Sequence, residues 1–466
     1  MKFDYSNRLS VVLGYGVLSI VAIFGAHYAL LRFTSFDAAY YLFKIVDTKD
    51  FFIAHGRYIS YFAQWPAVIA ANLGVPLKLL LPIASLGYSF FFIFHYFLAV
   101  RFKTKENLYW LVVFLPLLAL RFKFYSPISE SILSLASISL FYVVMDNATR
   151  EYSIKKWVYL FLLVITIYIG HPLAFMGAFM MILFHALWQK DYLNKTRLYA
   201  LGITAVFFVA KMISVRSSGY ESEKLNDATS NISKLLAARE HWVYIQLDNW
   251  ILDECIWPLF AFFGAIVVLL YHKRVIPAVF LCGSYIAIKH IVTLVYWEGE
   301  SLNMLHSYYA YLSIPWSLGI VYAASLIERK SFVLAFYLAL SIQSIWEIRE
   351  ERFFFKDRLT YFDSLLNAYP ESRKHLVPEG KLSTEKVHLT WAIPFGTMIY
   401  TSCENPKDAK TIFINRNSDG DEYLLKSQQN PSLFLGAAWY PYEIENSADL
   451  NSDYFILAPE PYKKHE

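Results

Sequence analysis

The sequence predicts a polytopic α-helical membrane protein of about eleven transmembrane helices, with a small α/β or β-rich domain at the C-terminal end. Three observations support this fold class. The 466 residues are 57% hydrophobic and only 17% charged, whereas soluble domains carry about 25% charged residues. Apolar runs of helical length recur between residues 9 and 348, and a run of roughly 18 or more apolar residues is typical of a membrane helix. Residues 349–466 have the composition of a soluble protein.

Short polar connections separate the predicted spans, and Lys and Arg are concentrated in alternate connections. Short cytoplasmic loops are enriched in these residues. We therefore expect a transmembrane domain over residues 1–348 with a cytoplasmic N-terminus, in the inner membrane of a bacterium. Residues 32–75, residues 216–253 and an extracytoplasmic domain over residues 349–466 are expected on the outer side. The expected spans are residues 9–31, 76–100, 107–121, 128–146, 157–171, 173–189, 198–215, 254–272, 276–296, 308–327 and 331–348.

The segment after the first span, FTSFDAAYYLFKIVDTKDFFIAHGRYISYF, is too polar to cross a bilayer and too apolar to be a solvated loop. Asp37, Tyr40, Tyr41 and Lys44 recur with helical spacing and form one stripe. Residues 47–74 are mostly apolar and aromatic, and aromatic residues are enriched at membrane interfaces. We therefore expect two amphipathic helices that lie in the outer interface.

Cationic side chains are concentrated at the expected outer face. Lys289 and His290 lie inside an otherwise apolar span, where an ionisable residue usually faces the bundle interior or a wet cavity. Converging cations favour an anionic ligand, and a lipid phosphate is the natural candidate at a membrane face. His171 precedes a proline and could equally cap a helix end. The candidate phosphate contacts are Arg57, Lys123, Lys289 and His290, followed by His55, His171 and His306.

Two short motifs in this outer segment resemble those of GT-C glycosyltransferases. FDAAYYLF, with Asp37 directly after the first span, is similar to the acidic motif in the first outer loop of that family. HGRYISYFAQW, around Arg57, is similar to a Gly-Arg-aromatic segment of some bacterial members. The resemblance implies an inverting transfer of a sugar from a polyprenyl-phosphate-linked donor to an acceptor glycan, lipid or protein. It also implies that Asp37 is the general base and that nearby cations stabilise the phosphate leaving group.

The acidic motif commonly carries a second acid, whereas Ala38 and Ala39 follow Asp37 here. Glu130, at the start of the fourth expected span, is a second candidate acid, although a carboxylate there could equally favour the helix N-terminus. No cofactor is predicted, and a divalent cation stays an open alternative that no ligand motif supports. Two other functions also stay open: a non-catalytic GT-C-like subunit of an envelope protein complex, and a lipid–glycan transporter. No basic tract indicates a nucleic-acid partner.

The C-terminal domain is expected to begin with an amphipathic helix that ends near Tyr369. Short strand-like runs follow, separated by turn residues. Four aromatic residues could stack on sugar rings, but packing against the membrane domain is the favoured interpretation. The strand-like runs are KVHLTWAIP, TMIYTS, TIFINR, SLFLGA and YFILAP, and the aromatic residues are Trp391, Trp439, Tyr440 and Tyr442.

Overall fold

The computed structural model describes residues 5–102, 106–127, 130–216, 219–298, 305, 308–387, 389–415, 420–436 and 444–465. The described chain is mostly helical, with short strands near its C-terminal end. The helices within these residues are α1 (Tyr5–His27), α2 (Ala29–Phe33), α3 (Phe36–Thr48), α4 (Tyr61–Asn72), α5 (Leu77–Arg101), α6 (Leu111–Lys123), α7 (Glu130–Arg150), α8 (Ile154–Tyr168), α9 (Ala174–Gln189), α10 (Lys195–Arg216), α11 (Gly219–Ser230), α12 (Trp242–Glu254), α13 (Ile256–Tyr271), α14 (Val275–Val295), α15 (Ser313–Ser325), α16 (Lys330–Leu366), α17 (Thr384–Val387), α18 (Ile393–Ser402) and α19 (Gly420–Gln429). The strands are β1 (Lys374–Pro378), β2 (Thr411–Asn415), β3 (Leu433–Leu435), β4 (Ile444–Asn446) and β5 (Lys463–Lys464).

Among the described residues, six helices are long and apolar enough to cross a membrane: α1, α5, α7, α10, α14 and α16. A seventh candidate is the pair α12 and α13, which is bent by 93° at its break. These helices are consistent with a multi-pass membrane protein, but the predicted count of about eleven spans is not confirmed. The remaining predicted spans do form helices, yet these are short. The 15 residues of α8 cover about 22 Å at 1.5 Å per residue, against a hydrocarbon core of about 30 Å.

The segment between the first and second long helices folds as α3 and α4. Lys49 ends α3 in a left-handed conformation with φ of 55°, and His55 and Gly56 also have positive φ values. A short 3-10 turn at Tyr58–Ser60 then leads into α4. The backbone amide of Ile59 donates a hydrogen bond of 3.1 Å to the carbonyl of Ile169, at the break between α8 and α9. This bond attaches the turn to the helices α8 and α9.

The C-terminal region is a small α/β unit. Strand β1 pairs in parallel with β2 on one side and β5 on the other, while β3 and β4 pair antiparallel. The predicted strands at TIFINR and SLFLGA are confirmed as β2 and β3. The strand prediction for TMIYTS is wrong, because these residues lie in α18, which has a proline in its first turn and provides the helical crossover that parallel strands require. YFILAP also forms no strand in the described structure.

The C-terminal unit packs directly onto α3. The Phe43 ring lies 4.9 Å from that of Phe395 and 5.0 Å from that of Phe455, centroid to centroid. A carboxylate oxygen of Asp47 accepts a hydrogen bond of 2.8 Å from the backbone amide of Asn451. Helix α16 runs without a break through residue 348, so it connects the membrane helices to this unit. Helix α3 is therefore held between the two parts of the protein.

Candidate functional site

Asp37 lies in the first turn of α3 and is half-buried. The preceding residue, Phe36, has a φ of 47°, a left-handed conformation that bulky residues rarely adopt. Such strain persists only where the surrounding structure determines it. Here the Phe36 ring packs beside Phe355 of α16, at 6.0 Å between centroids, and beneath the guanidinium of Arg358, at 5.2 Å. The start of α3, and with it Asp37, is thus fixed by contacts with α16.

Arg57 and Glu130 form an ion pair next to α3. An Nη atom of Arg57 lies 3.2 Å from a carboxylate oxygen of Glu130, and their side chains are only 11% and 5% exposed. Arg57 is placed by the turn between α3 and α4, whereas Glu130 is the first residue of α7. An ion pair removed from water in this way is stable only when both partners are present, since either charge alone would be buried without compensation.

Lys123 completes this group of charges. It is the last residue of α6 and is buried. Burial raises the pKa of the Asp37 carboxyl, and the positive charges of Lys123 and Arg57 oppose that rise without cancelling it. Asp37, Arg57, Lys123 and Glu130, which we call the charge quartet, therefore combine two carboxylates with two cations. They come from four separate parts of the sequence.

Tyr41 also belongs to this site. Its hydroxyl donates a hydrogen bond of 3.4 Å to the second carboxylate oxygen of Glu130, and its ring packs 5.1 Å from that of Phe52. No role for this hydroxyl was predicted from the sequence, although Tyr41 follows Asp37 by four residues and so shares its helix face. That spacing is the sequence feature from which a place for Tyr41 beside Asp37 could have been predicted. With Arg57 on one oxygen and Tyr41 on the other, the Glu130 carboxylate has a fixed orientation.

His171 lies near the start of α7. Its backbone amide donates to the Ser134 hydroxyl at 3.1 Å, and Ser134 in turn donates to the Glu130 carbonyl at 2.7 Å. The His171 ring packs edge-on against Tyr308, 5.6 Å between centroids, and its Nδ1 accepts from the amide of Leu173 at 3.3 Å. His171 therefore supports the chain one turn away from Glu130 and begins the segment that leads into α9.

The remaining predicted cations lie apart from the contacts of the charge quartet. Lys289 forms an ion pair with Asp248 of α12 and lies over the Tyr244 ring at 4.0 Å. His290 bonds the carbonyl of Ile286, one turn earlier in α14, at 2.9 Å, and also contacts the Tyr244 ring. The structure therefore groups both residues with α12.

His55 is exposed and lines a different cleft from the quartet. His306, Trp439, Tyr440 and Tyr442 lie outside the described residues. Trp391 packs against Tyr40 of α3, with 5.5 Å between ring centroids.

Within the described part of the chain, no group of three or more His, Cys, Asp or Glu side chains is arranged to hold a metal ion. The carboxylates of the charge quartet interact with the cationic side chains of Arg57 and Lys123 and with the Tyr41 hydroxyl. Comparison with family models, with curated proteins and with solved structures found no match to this chain. The interpretation of the site therefore rests on its own geometry and on the motifs around Asp37 and Arg57.

Proposed function

We propose that this protein is a membrane glycosyltransferase of the GT-C type. It would move a sugar from a polyprenyl-phosphate-linked donor to an acceptor glycan, lipid or protein at the outer face of the membrane. The observation that supports the proposal is the convergence of Asp37 with Arg57 and Lys123. A carboxylate and two cations in one half-buried site are the groups that such a transfer needs.

In this reaction Asp37 takes the proton of the acceptor hydroxyl. The acceptor oxygen forms a bond to the anomeric carbon on the face opposite the phosphate, and the bond from that carbon to the phosphate oxygen breaks. The electron pair leaves with the polyprenyl phosphate. Arg57 suits a bidentate phosphate contact and Lys123 acts as a point charge. Glu130 and Tyr41 hold Arg57 in place, which makes them positioning residues.

The finer features of the fold belong to the same proposal. We propose eleven spans, in which the short helices α6, α8, α9, α13 and α15 complete the set. The N-terminus would be cytoplasmic, and the C-terminal unit would lie outside the inner membrane of a bacterium. Its contacts with α3 support this arrangement, because a unit that packs on α3 would lie on the same side of the membrane as Asp37.

The test is sugar transfer by the purified protein in proteoliposomes. A panel of polyprenyl-phosphate-linked hexoses and pentoses is supplied with membrane glycan and lipid acceptors, and the release of polyprenyl phosphate is followed by mass spectrometry. Asp37→Asn should lower transfer by about 10²-fold or more, since loss of a general base typically costs that much. Asp50→Asn is the matched control, because Asp50 is exposed in the same segment and bonds only its neighbour's amide among the contacts described. Full transfer by Asp37→Asn would remove Asp37 from this role.

A non-catalytic subunit is the second candidate. The observation that favours it is the charge balance of the quartet, in which Glu130 already neutralises Arg57 at 3.2 Å. A balanced ion network of this kind can be purely structural. On that reading, no sugar in the panel would be consumed by the unmodified protein, and Asp37→Asn would change its thermal stability or its assembly with envelope proteins instead.

A further inference from the structure

An apolar groove of about 470 Å³ lies between α13, α15 and α16. None of the described residues that line it carries a charge. Its lining along α16 extends from Phe332 to Gln343, which is about 16 Å at 1.5 Å per residue. Half of a hydrocarbon core, which is about 30 Å thick in total, has nearly the same length. The groove therefore has the length of an acyl chain in one leaflet.

The groove opens on the apolar surface of the helices. Phe260 and Phe332, on two of its walls, are each 60% exposed, and such a surface faces hydrocarbon in a membrane protein. Small residues also line the groove, among them Ala261, Gly264 and Ala324. A Cβ atom at Gly264 would meet no atom within 4 Å. The space at Gly264 is therefore open to a chain that enters from the bilayer.

Both of these walls lead to carboxylates at one end of the groove. Trp257 is the first lining residue on α13, and Glu254, three residues earlier, is the last residue of α12. Gln343 is the last lining residue on α16, and Glu347 and Glu351 follow at intervals of four residues. Residues at this spacing share one face of a helix. We call Glu254, Glu347 and Glu351 the acidic mouth of the groove.

Arg121 of α6 lies among these carboxylates. Its guanidinium donates to Gln343 Oε1 at 3.1 Å, and an Nη atom lies 3.5 Å from a carboxylate oxygen of Glu347. It also donates to the backbone carbonyl of Glu254. Glu351 is subject to the charge of Arg121 and to the charges of the two other carboxylates. Its own carboxylate accepts no hydrogen bond and forms no ion pair within the described residues.

Negative charge is therefore in excess at the acidic mouth, where three carboxylates share one arginine. The nearby Arg349 and Arg352 instead lie 3.9 and 3.8 Å from Glu350. Within the described residues, the three carboxylates are not arranged to hold a metal ion. A primary ammonium group suits them, because it carries three donors and its hydrogen bonds to carboxylates are charge-assisted. An anionic headgroup would be repelled.

We propose that this groove binds a membrane lipid whose headgroup carries a primary ammonium. The acyl chain occupies the groove, and the ammonium lies among the carboxylates of the acidic mouth. A polyprenyl phosphate carries the opposite charge at its head, so this site is separate from the donor site of the proposed glycosyltransferase. The proposal does not depend on that function.

The test is lipid binding to the full-length protein, delipidated in detergent, by native mass spectrometry. The probes are phosphatidylethanolamine, phosphatidylglycerol with the same acyl chains, which lacks the amine, and undecaprenyl phosphate. We expect phosphatidylethanolamine to bind about tenfold or more tightly than phosphatidylglycerol, since a hydrogen bond to a charged group contributes that much. Equal binding of the two phospholipids, or tighter binding of phosphatidylglycerol, would overturn the proposal.

Gly264→Phe tests the groove itself. The ring would extend into the open space at this glycine and should weaken phosphatidylethanolamine binding about tenfold or more, because it excludes several methylene groups of the chain. Gly283→Phe in α14 is the matched control, since a Cβ there also meets no atom within 4 Å and Gly283 does not line the groove. Unchanged binding of phosphatidylethanolamine by a folded Gly264→Phe would overturn the proposal.

Glu351→Gln tests the acidic mouth without filling the groove, and it carries the test if Gly264→Phe does not fold. It should lower the preference for phosphatidylethanolamine over phosphatidylglycerol about threefold or more, the effect of one charge at a partly exposed site. Glu350→Gln removes the same charge from the neighbouring residue and should keep the preference. An unchanged preference in Glu351→Gln would count against the proposal.

Two other occupants of the groove are separated by the same measurements. If Gly264→Phe abolished the binding of undecaprenyl phosphate and left that of phosphatidylethanolamine intact, the groove would belong to the donor. If the unmodified protein were a dimer that Gly264→Phe dissociates, the groove would belong to a second copy of this chain. Either result would overturn the proposal.

Discussion

Replacing Gly396 by alanine should loosen the contact between the C-terminal unit and α3. A Cβ atom at residue 396 would lie 2.4 Å from the carbonyl oxygen of Thr34 and 3.7 Å from the Cβ of Ala39. The first contact is with a backbone atom, which cannot move away through a change of side-chain rotamer. The oxygen would have to move by about 0.6 Å to reach the 3.0 Å limit that real Cβ contacts respect. The same oxygen accepts a hydrogen bond of 2.8 Å from Arg358, so its position is already constrained.

Overpacking of this kind costs about 1–3 kcal/mol. A central value of about 2 kcal/mol shifts an opening equilibrium by about 30-fold. The backbone amides of α3 and α18 should therefore exchange with deuterium about 30-fold faster in Gly396→Ala wherever exchange proceeds through separation of the two parts. The cost falls on the interface, because Gly396 and Thr34 belong to its opposite sides.

Hydrogen–deuterium exchange followed by mass spectrometry measures this effect in the intact protein. Gly380→Ala is the control, since nothing lies within 4 Å of a Cβ at that glycine, and it should exchange like the unmodified protein. Two results would refute the reasoning. One is unchanged exchange of α3 and α18 in Gly396→Ala, and the other is an equal acceleration in the control.

Two further predictions concern the charge quartet. Arg57→Met should destabilise the protein by about 3 kcal/mol, because Glu130 would remain buried without its partner. The double variant Arg57→Met with Glu130→Gln should recover part of that loss. Chemical denaturation in detergent measures the free energy of unfolding of each variant, and strict additivity of the two single effects would contradict a direct coupling. The raised pKa of Asp37 should place the acidic limb of transfer activity above the ordinary aspartate value of about 3.9. Activity is lost as the pH falls through that pKa. The contribution of this carboxyl to stability rises over the same fall in pH, because the folded state binds its proton more tightly than the unfolded state does. A pH–rate profile measures the loss of activity, and thermal unfolding at a series of pH values measures the change in stability. An acidic limb at or below the ordinary aspartate pKa would count against Asp37 as the base.

The helices around the site were predictable because their signals are local. Apolar length and charged connections predicted helices close to the positions of α5, α7, α10 and α14, and the stripe from Asp37 to Lys44 predicted α3. The number of spans was harder to predict from the sequence, since a run of apolar residues does not reveal whether a helix is broken at a glycine or a proline. Residues 168–172 show this difficulty, because α8 ends at Tyr168 before Gly170 and Pro172.

The grouping of charges needed tertiary information. The sequence placed Lys123 and Lys289 in one set of cations, yet the structure couples Lys123 to Asp37 and pairs Lys289 with Asp248. The partner of each cation lies far from it in sequence, so no spacing rule could have assigned it. The helical crossover in the C-terminal unit was missed for a related reason. The pairing of β1 with β2 is parallel, and this tertiary requirement overrides the strand preference of the residues in α18.

The structure also gives a physical account of the missing second acid. Ala38 and Ala39 are fully buried, and Ala39 lies opposite Gly396 of the C-terminal unit. A carboxylate at either residue would be removed from water at a cost of several kcal/mol. Glu130 supplies a second carboxylate from α7, and it pairs with the same Arg57 whose positive charge acts on Asp37. Under the proposed function, the exchange of an acid on α3 for one on α7 allows α3 to bind the C-terminal unit through one face. Asp37 remains available on the other face.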